Sequence, residues 1–387
     1  MKKIFNFFLI ILLLPIYFVN IDVHAEENLI PNAQNGLLME VSTGKIIYEK
    51  GMDEEVSIAS LTKMMGLILI FEKIENGDIK YTDKVTASQN AADMGGSQIW
   101  LSAGEQLTVE EMLKGIIMAS ANDGIVAMAE HIGGTEAKFV EMMNNKAKEL
   151  GLKHTNFVNP TGLDEEGHYS SAYDVAQIAL ELMKHDDVFK FTTIYEDYLR
   201  ENTENKYWLV NTNKLIRTYS GADGLKTGMT DNAGYCMAVT AKRDGMRLLA
   251  VVLGENQGKV RNTETANLLD YGFNQYEVTT IKKDGEKVGE ITLDKANPNK
   301  IDVILNEDVT ILRKKGDTVK EYKSEVKLNN VKLPVKKGEV IGKLLVKDNN
   351  EIIKEIELTS NQDMVKKSFL EIYLNIIKSI FTGDLIN

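Results

Sequence analysis

The 387-residue chain carries 57 acidic against 45 basic side chains, a formal net charge of −12, with 43% hydrophobic and 26% charged residues. That balance argues against nucleic-acid binding, which needs clustered Lys and Arg at the phosphates, and the apolar content is that of a globular chain rather than a disordered one. A single cysteine, Cys236, excludes an internal disulfide, and the length suffices for two domains held by their own cores.

Met1-Lys2-Lys3 is followed by an almost wholly apolar run from Ile4 to Val19 and by Val23-His24-Ala25. This order predicts a secretory signal peptide over residues 1–25, cut after Ala25. A retained anchor is the alternative, disfavoured by the shortness of the run and by Pro15. Residues 37–50 predict two strands around Ser42-Thr43-Gly44. From Ser60 the run Leu61–Glu72 is long and apolar enough to predict a buried helix. A mostly helical region extends to about Leu182, broken at Gly95-Gly96 and Gly133-Gly134.

Strand character returns over Gly234–Gly254, with a hairpin about Asp244-Gly245, and Thr263–Tyr271 predicts a closing helix. Strands on both sides of a helical region imply one sheet built from both ends of a domain spanning 26–275. Beyond it, short β-branched runs alternating with Lys and Glu predict a small all-β domain over 276–360. In residues 361–387, Val365, Phe369, Ile372, Tyr373, Ile376 and Ile380 share one face at about 100° per residue, widened by Leu370, Leu374, Ile377 and Phe381. This predicts an amphipathic helix lying in a membrane interface; docking on its own domain or on a partner is the other reading.

No Gly-x-Ser-x-Gly elbow and no His-Glu-x-x-His site occurs, and His131, His154, His168 and His185 lack metal-ligand spacing. They read as structural or surface residues, and neither a metal nor a cofactor is expected. Ser60-Leu61-Thr62-Lys63 is a Ser-x-x-Lys: three residues apart on a helix, Lys63 reaches the Ser60 hydroxyl. A hydroxyl becomes a useful nucleophile only when a neighbouring base takes its proton. Lysine is that base only if its pKa, ordinarily ~10.4, falls by about two to three units, which burial beside a second cation supplies. Ser42/Lys45 and Ser324/Lys327 repeat the spacing, but in predicted hairpin and strand, where residues three apart point to opposite faces. Ser120-Ala121-Asn122 and Lys226-Thr227-Gly228 follow in order. Ser-x-Asn recurs at Ser88-Gln89-Asn90, so the signal is the ordered set, which is that of penicillin-binding proteins and serine β-lactamases.

With these residues in view, the chain resembles the D-alanyl-D-alanine carboxypeptidases, the low-molecular-mass penicillin-binding proteins. Gly95-Gly96-Ser97, Ser120–Gly124, Leu150–Phe157, Asn159-Pro160-Thr161-Gly162-Leu163, Asp223–Gly228 and Asp270–Phe273 carry the likeness further. The resemblance implies an α+β fold: a β-lactamase/transpeptidase-like domain with an antiparallel sheet flanked by helices and a helical subdomain, then a small all-β sandwich domain and the amphipathic helix. It implies Ser60 as nucleophile, Lys63 as its base and Ser120 as proton relay to the leaving amine. Asn122 would hold the substrate amide, Lys226 would supply positive charge, and Thr227 and Gly228 would line the substrate carboxylate. The backbone N–H groups of Ser60 and Met229 would form the oxyanion hole, and Arg261 would be a second carboxylate ligand. Met229 departs from the His or Arg that some members carry; the implied oxyanion hole needs only its backbone. The implied partners are stem peptides ending in D-Ala-D-Ala, β-lactams as covalent inhibitors and a membrane surface, on the outer face of the cytoplasmic membrane. A class A-like β-lactamase would need a Glu-x-x-Leu-Asn loop; the nearest match, Glu196 to Arg200, ends in Arg and comes too late. A scaffold with a dead site is opposed by the intact Ser60, Lys63 and Lys226.

Overall fold

The computed structural model describes residues 28–318, 320–348 and 351–382. The signal peptide expected over 1–25 lies outside the described residues. Five antiparallel strands form the central sheet: β1 (Asn35–Glu40), β2 (Lys45–Lys50), β3 (Ala222–Thr230), β4 (Gly234–Arg243) and β5 (Met246–Glu255), in the order β2-β1-β5-β4-β3. The N-terminal hairpin therefore joins the late strands through β1, Leu37 opposite Val251, as strands at both ends of the segment predict.

Strands β4 and β5 read as continuous apolar runs because both faces are covered. Met237, Val239, Leu248, Ala250 and Val252 pack with Leu268, Leu269 and Phe273 of the closing helix. The alternate residues Cys236, Ala238, Leu249, Val251 and Leu253 face the helical side. Five helices build that side and close the sheet. They are α1 (Lys63–Glu75), α2 (Val109–Met118), α3 (Asn122–Gly133), α4 (Glu136–Glu149) and α5 (Ala172–Leu182). Helix α1 is apolar nearly all round and buried from Lys63 to Phe71, and Gly66 lets Ile125 of α3 come close. A capping box between Thr108 and Glu111 starts α2. The closing helix α6 spans Gly258–Gln275, longer at both ends than the predicted 263–271.

Two placements differ from the sequence reading. Lys226-Thr227-Gly228 lies inside β3, not before the strands: Asp223, Gly224 and Gly228 weaken the strand signal, and pairing with β4, Gly228 opposite Cys236, overrides it. Ser60 sits in a 3-10 turn, Ala59–Thr62, and α1 begins at Lys63. The spacing argument survives, since side chains three apart also align in a 3-10 turn.

From Tyr276 to Lys366 the chain's regular elements are all β strands among the described residues. Strands 287–292, 300–305, 351–360, 340–348 and 323–328 form a sheet in that order, over a core that includes Ile301, Val303, Leu344, Val346 and Leu358. Ser324 and Lys327 do lie on a strand. Lys354 Nζ donates to Ser42 O at 3.0 Å, and the Ser42 and Thr310 hydroxyls meet at 2.9 Å, so the β2 side of the central sheet touches this domain. The last helix spans Phe369–Thr382 rather than starting at Val365, because Val365–Lys366 pairs as a strand with Ala296–Asn297. Ser368 N donates to Glu371 Oε2 and Glu371 N to Ser368 Oγ, a reciprocal cap that fixes the helix start. Phe369, Leu370, Tyr373, Leu374 and Ile380 are exposed along it. Among the described residues no helix is long and apolar enough to cross a membrane.

Candidate active site

Where α1, the α2–α3 junction and β3 converge, the three motifs meet. Lys63 is fully buried, and its Nζ has three neighbours: Ser60 Oγ at 2.9 Å, Asn122 Oδ1 at 2.6 Å and the Thr161 carbonyl at 2.7 Å. Two of these, the amide oxygen and the carbonyl, can only accept. A neutral amine has two N–H donors and one lone pair. In the neutral amine, with both N–H groups given to Asn122 and Thr161, the lone pair is left for the Ser60 hydroxyl; in the ammonium the third N–H donates to Ser60 Oγ. Burial holds the Lys63 ammonium well below its ordinary range, the charge of Lys226 pushes it further down, and Asp123 opposes both.

Lys226 is also buried and donates to Ser120 Oγ at 2.8 Å and to the Thr227 carbonyl at 2.9 Å. Desolvation, and then the nearby Arg261 charge, lower its pKa to about 7. Ser120 thus stands between a lysine that titrates near neutrality and the Lys63 side of the cleft. The Thr227 hydroxyl donates to Thr212 Oγ1 at 2.8 Å. Gly228 is required sterically: a Cβ there would sit 2.9 Å from both Ser60 N and Ala59 Cβ, so only glycine lets β3 run against the nucleophile turn. That approach sets the β3 backbone beside the Ser60 N–H.

The backbone is strained where the chemistry is. Ala59, immediately before Ser60, has φ +48°, and Ser120 has φ +62°. Such left-handed conformations in non-glycine residues cost of order 1–3 kcal/mol and persist only when their surroundings over-determine them. Here Ser120 bridges the end of α2 and the start of α3, and Ala59 is wedged beneath Gly228.

Ser60, Lys63, Ser120, Asn122, Lys226, Thr227 and Gly228 are brought together. Met229 follows them on β3 and is 54% exposed. Arg261, in the first turn of α6, is buried, donating Nη1 to the Cys236 carbonyl at 3.3 Å and Nη2 to Asn262 Oδ1 at 2.9 Å. Its charge reaches Lys226, but its guanidinium is engaged within the protein, which suits electrostatic support better than direct contact with a ligand. Cys236 is buried opposite Gly228, as its apolar sequence neighbourhood predicts.

Sequence reasoning missed four contributors. The Thr161 carbonyl is presented by a turn in which Asn159 Oδ1 accepts from Thr161 N, Thr161 Oγ1 and Gly162 N. Gly162, at φ +78°, would place a Cβ 2.0 Å from the Ala59 carbonyl oxygen, so the turn is fitted to the nucleophile turn. Asn-Pro-Thr-Gly was visible as a motif, but a backbone carbonyl leaves no mark on residue type. Asp123 is buried beneath Asn122 and accepts from the backbone of Ile99, Leu101 and Gly124. Thr212 meets Thr227, and Arg200 ties a distant hairpin to the Ile99 carbonyl; neither carries a local signal. His168 is buried, accepting at Nδ1 from Val158 N and facing Thr62 Oγ1 with Nε2, and burial lowers its pKa to about 4. It is a neutral strut, in keeping with a structural reading.

Comparison with known proteins bears on the whole chain. Residues 22–257 match the family described as D-alanyl-D-alanine carboxypeptidase, and residues 276–366 match the penicillin-binding protein 5 C-terminal domain. The chain is 46% identical over 375 residues to the D-alanyl-D-alanine carboxypeptidase DacF of Bacillus subtilis, covering 96% of each. It superposes on penicillin-binding protein 5 of Haemophilus influenzae with a TM-score of 0.70 at 31% identity, over 87% of this chain and 98% of that one. The ampicillin-bound penicillin-binding protein D2 of Listeria monocytogenes aligns at a TM-score of 0.57 and 30% identity, over 62% of this chain and 98% of that one. With both domains matched and the three motifs gathered around one cleft, the chain belongs to the D-alanyl-D-alanine carboxypeptidase family of penicillin-binding proteins.

Proposed function

We propose that the chain removes the terminal D-alanine from peptidoglycan stem peptides through an acyl-enzyme on Ser60. The observation that carries this reading is the placement of Lys63 Nζ, with two obligate acceptors at 2.6 and 2.7 Å and Ser60 Oγ at 2.9 Å. Ser60 Oγ attacks the carbonyl between the two D-alanines and its proton passes to Lys63. The oxyanion is met by the N–H groups of Ser60 and Met229, where one donor is typically worth ~3 kcal/mol. As the intermediate collapses, the leaving amine takes a proton through Ser120, which Lys226 backs. Asn122 holds the substrate amide, and the carboxylate lies at Thr227 with Lys226 behind it. Water then releases the shortened peptide. A β-lactam enters by the same attack, but its leaving amine stays tethered and blocks the water. That the similar Listeria protein is known in an ampicillin-bound form supports β-lactam binding.

No carboxylate is hydrogen-bonded to Ser60 or Lys63 among the described residues, which favours a long-lived penicilloyl enzyme over rapid β-lactam hydrolysis. The expected result is D-alanine release from a peptide ending in D-Ala-D-Ala together with slow penicillin turnover. Fast turnover of penicillin without D-alanine release would sink the reading in favour of a β-lactamase.

The export-type N-terminus and the exposed apolar side chains of the last helix support action on the outer face of the cytoplasmic membrane, with Phe369, Leu370, Tyr373, Leu374 and Ile380 entering the lipid interface. Ending the chain after Gln362 is expected to abolish sedimentation with anionic vesicles while D-alanine release stays unchanged. Sedimentation retained by the shortened protein contradicts the anchor.

A further inference from the structure

The chain has two tryptophans, and they are the most exposed large apolar side chains of residues 28–275: Trp100 at 65% and Trp208 at 56%. Neither packs into the hydrophobic core. Trp100 is also held at φ +58°, an outlier for a bulky side chain. Its neighbours enforce that conformation. Ile99 N and Leu101 N both donate to the Asp123 carboxylate, at 3.1 and 3.0 Å, and Arg200 donates to the Ile99 carbonyl at 3.0 Å and to the Trp100 carbonyl at 3.4 Å. The polypeptide on both sides of the indole is thus pinned while the ring projects into solvent.

Both rings sit on elements that run into the active site. The Trp100 loop gives its Gly95 and Ser97 carbonyls to Asn122, at 2.7 Å each. Trp208 lies on a hairpin, Glu196–Leu199 with Tyr207–Val210, directly opposite Tyr198. That hairpin leads to Thr212, the partner of Thr227, and its tip residue Arg200 reaches Trp100. Lys206 Nζ lies 3.8 Å over the Tyr198 ring, so one face of that ring is already covered, and Trp208 offers the more open surface of the pair.

Resting on the proposed carboxypeptidase reading, we infer that Trp100 and Trp208 form a second substrate subsite that stacks on the sugar rings of the glycan strand bearing the stem peptide. The chemistry selects that occupant. A pyranose presents a flat C–H face ringed by polar groups, which complements the electron-rich face of an exposed indole. The stem peptide offers no repeated flat apolar face. Both elements reach the cleft through Asn122 and Thr212, so what meets the indoles is the part of the substrate beyond the scissile peptide.

The test compares D-alanine release from a sugar-free peptide ending in D-Ala-D-Ala with release from purified insoluble peptidoglycan. Trp100→Gly is the informative variant, because glycine adopts φ +58° without strain and the fold is kept; Trp208→Ala tests the hairpin. Each is expected to act on the free peptide within about twofold of wild type and to lose about tenfold in kcat/KM on peptidoglycan. A peptide-free oligomer of N-acetylglucosamine is expected to quench wild-type tryptophan fluorescence, less so in either variant. Equal losses on both substrates, an unchanged rate on peptidoglycan, or a loss confined to sedimentation with lipid vesicles overturns the subsite. Failure of the wild type to release D-alanine from either substrate contradicts the carboxypeptidase reading instead, and the sugar titration still reports on the subsite by itself.

Discussion

Lys63→Met is expected to slow acylation of Ser60 by penicillin by about 10³-fold, near the middle of the range for a lost general base, equivalent to about 4 kcal/mol of barrier. Methionine fills nearly the same volume, so the nucleophile and the oxyanion donors remain while the base is gone. The Asn122 amide oxygen and the Thr161 carbonyl lose their donor, and each orphaned buried acceptor costs roughly 1–3 kcal/mol. A lower melting temperature should therefore accompany the slower chemistry. The two effects separate by measurement: acylation rate at a temperature where circular dichroism shows the variant folded. A folded Lys63→Met protein that acylates at the wild-type rate would remove Lys63 from the mechanism. Lys63→Arg should be no better, because a guanidinium keeps its charge and cannot take the proton.

Removing Lys226 tests how the base is tuned. On the proposed mechanism Lys63 works neutral, so the acylation rate is expected to rise with pH as Lys63 loses its proton. Burial is the first reason its pKa is low and the Lys226 charge the second, with Asp123 opposing. In Lys226→Met the second cause is gone and the first remains. Lys63 then keeps its proton to higher pH, and the acid limb of the acylation profile moves up, while staying below the ordinary lysine range. The variant should also lose roughly 10²–10³-fold on the peptide substrate, as expected for a lost electrostatic contact to developing charge. In the wild type, Lys226 itself loses its proton at about pH 7 in the free enzyme. A bound carboxylate holds that proton to higher pH, so the alkaline limb of kcat/KM should lie below that of kcat. A pH profile of acylation that Lys226→Met leaves in place would mean that burial alone sets the base.

The site was legible where it depends on residue type and spacing, and opaque where it depends on backbone. Ser60, Lys63, Ser120, Asn122 and Lys226 carry functional groups that a motif reports. Helical and 3-10 geometry both align residues three apart, so the misread turn at Ala59–Thr62 left the Ser60–Lys63 pairing intact. The Thr161 carbonyl escaped notice because any residue supplies one. Strand β3 was not read as a strand, strand character being expected only from Gly234, because Gly224 and Gly228 weaken strand propensity; yet Gly228 is what lets β3 approach Ser60 N. The feature that obscured the strand is the one that builds the cleft. Arg261 shows the opposite error. It was expected as a second carboxylate ligand, but its bond to the Cys236 carbonyl arises from the packing of α6 on β4, which local sequence does not encode, and Asn262 beside it takes a further N–H. The closing strands were readable as long apolar runs about Asp244-Gly245, and the small β domain because alternation such as that of 300–305 matches buried and exposed faces.

Mass spectrometry of the penicillin-treated protein tests the central claim most directly. The result expected is a mass increase of one intact penicillin, carried after proteolysis by the peptide containing Ser60, and no adduct on Ser60→Ala. An adduct on Ser120 or elsewhere, or labelling that persists in Ser60→Ala, would contradict the assignment of Ser60 as the nucleophile that Lys63 activates.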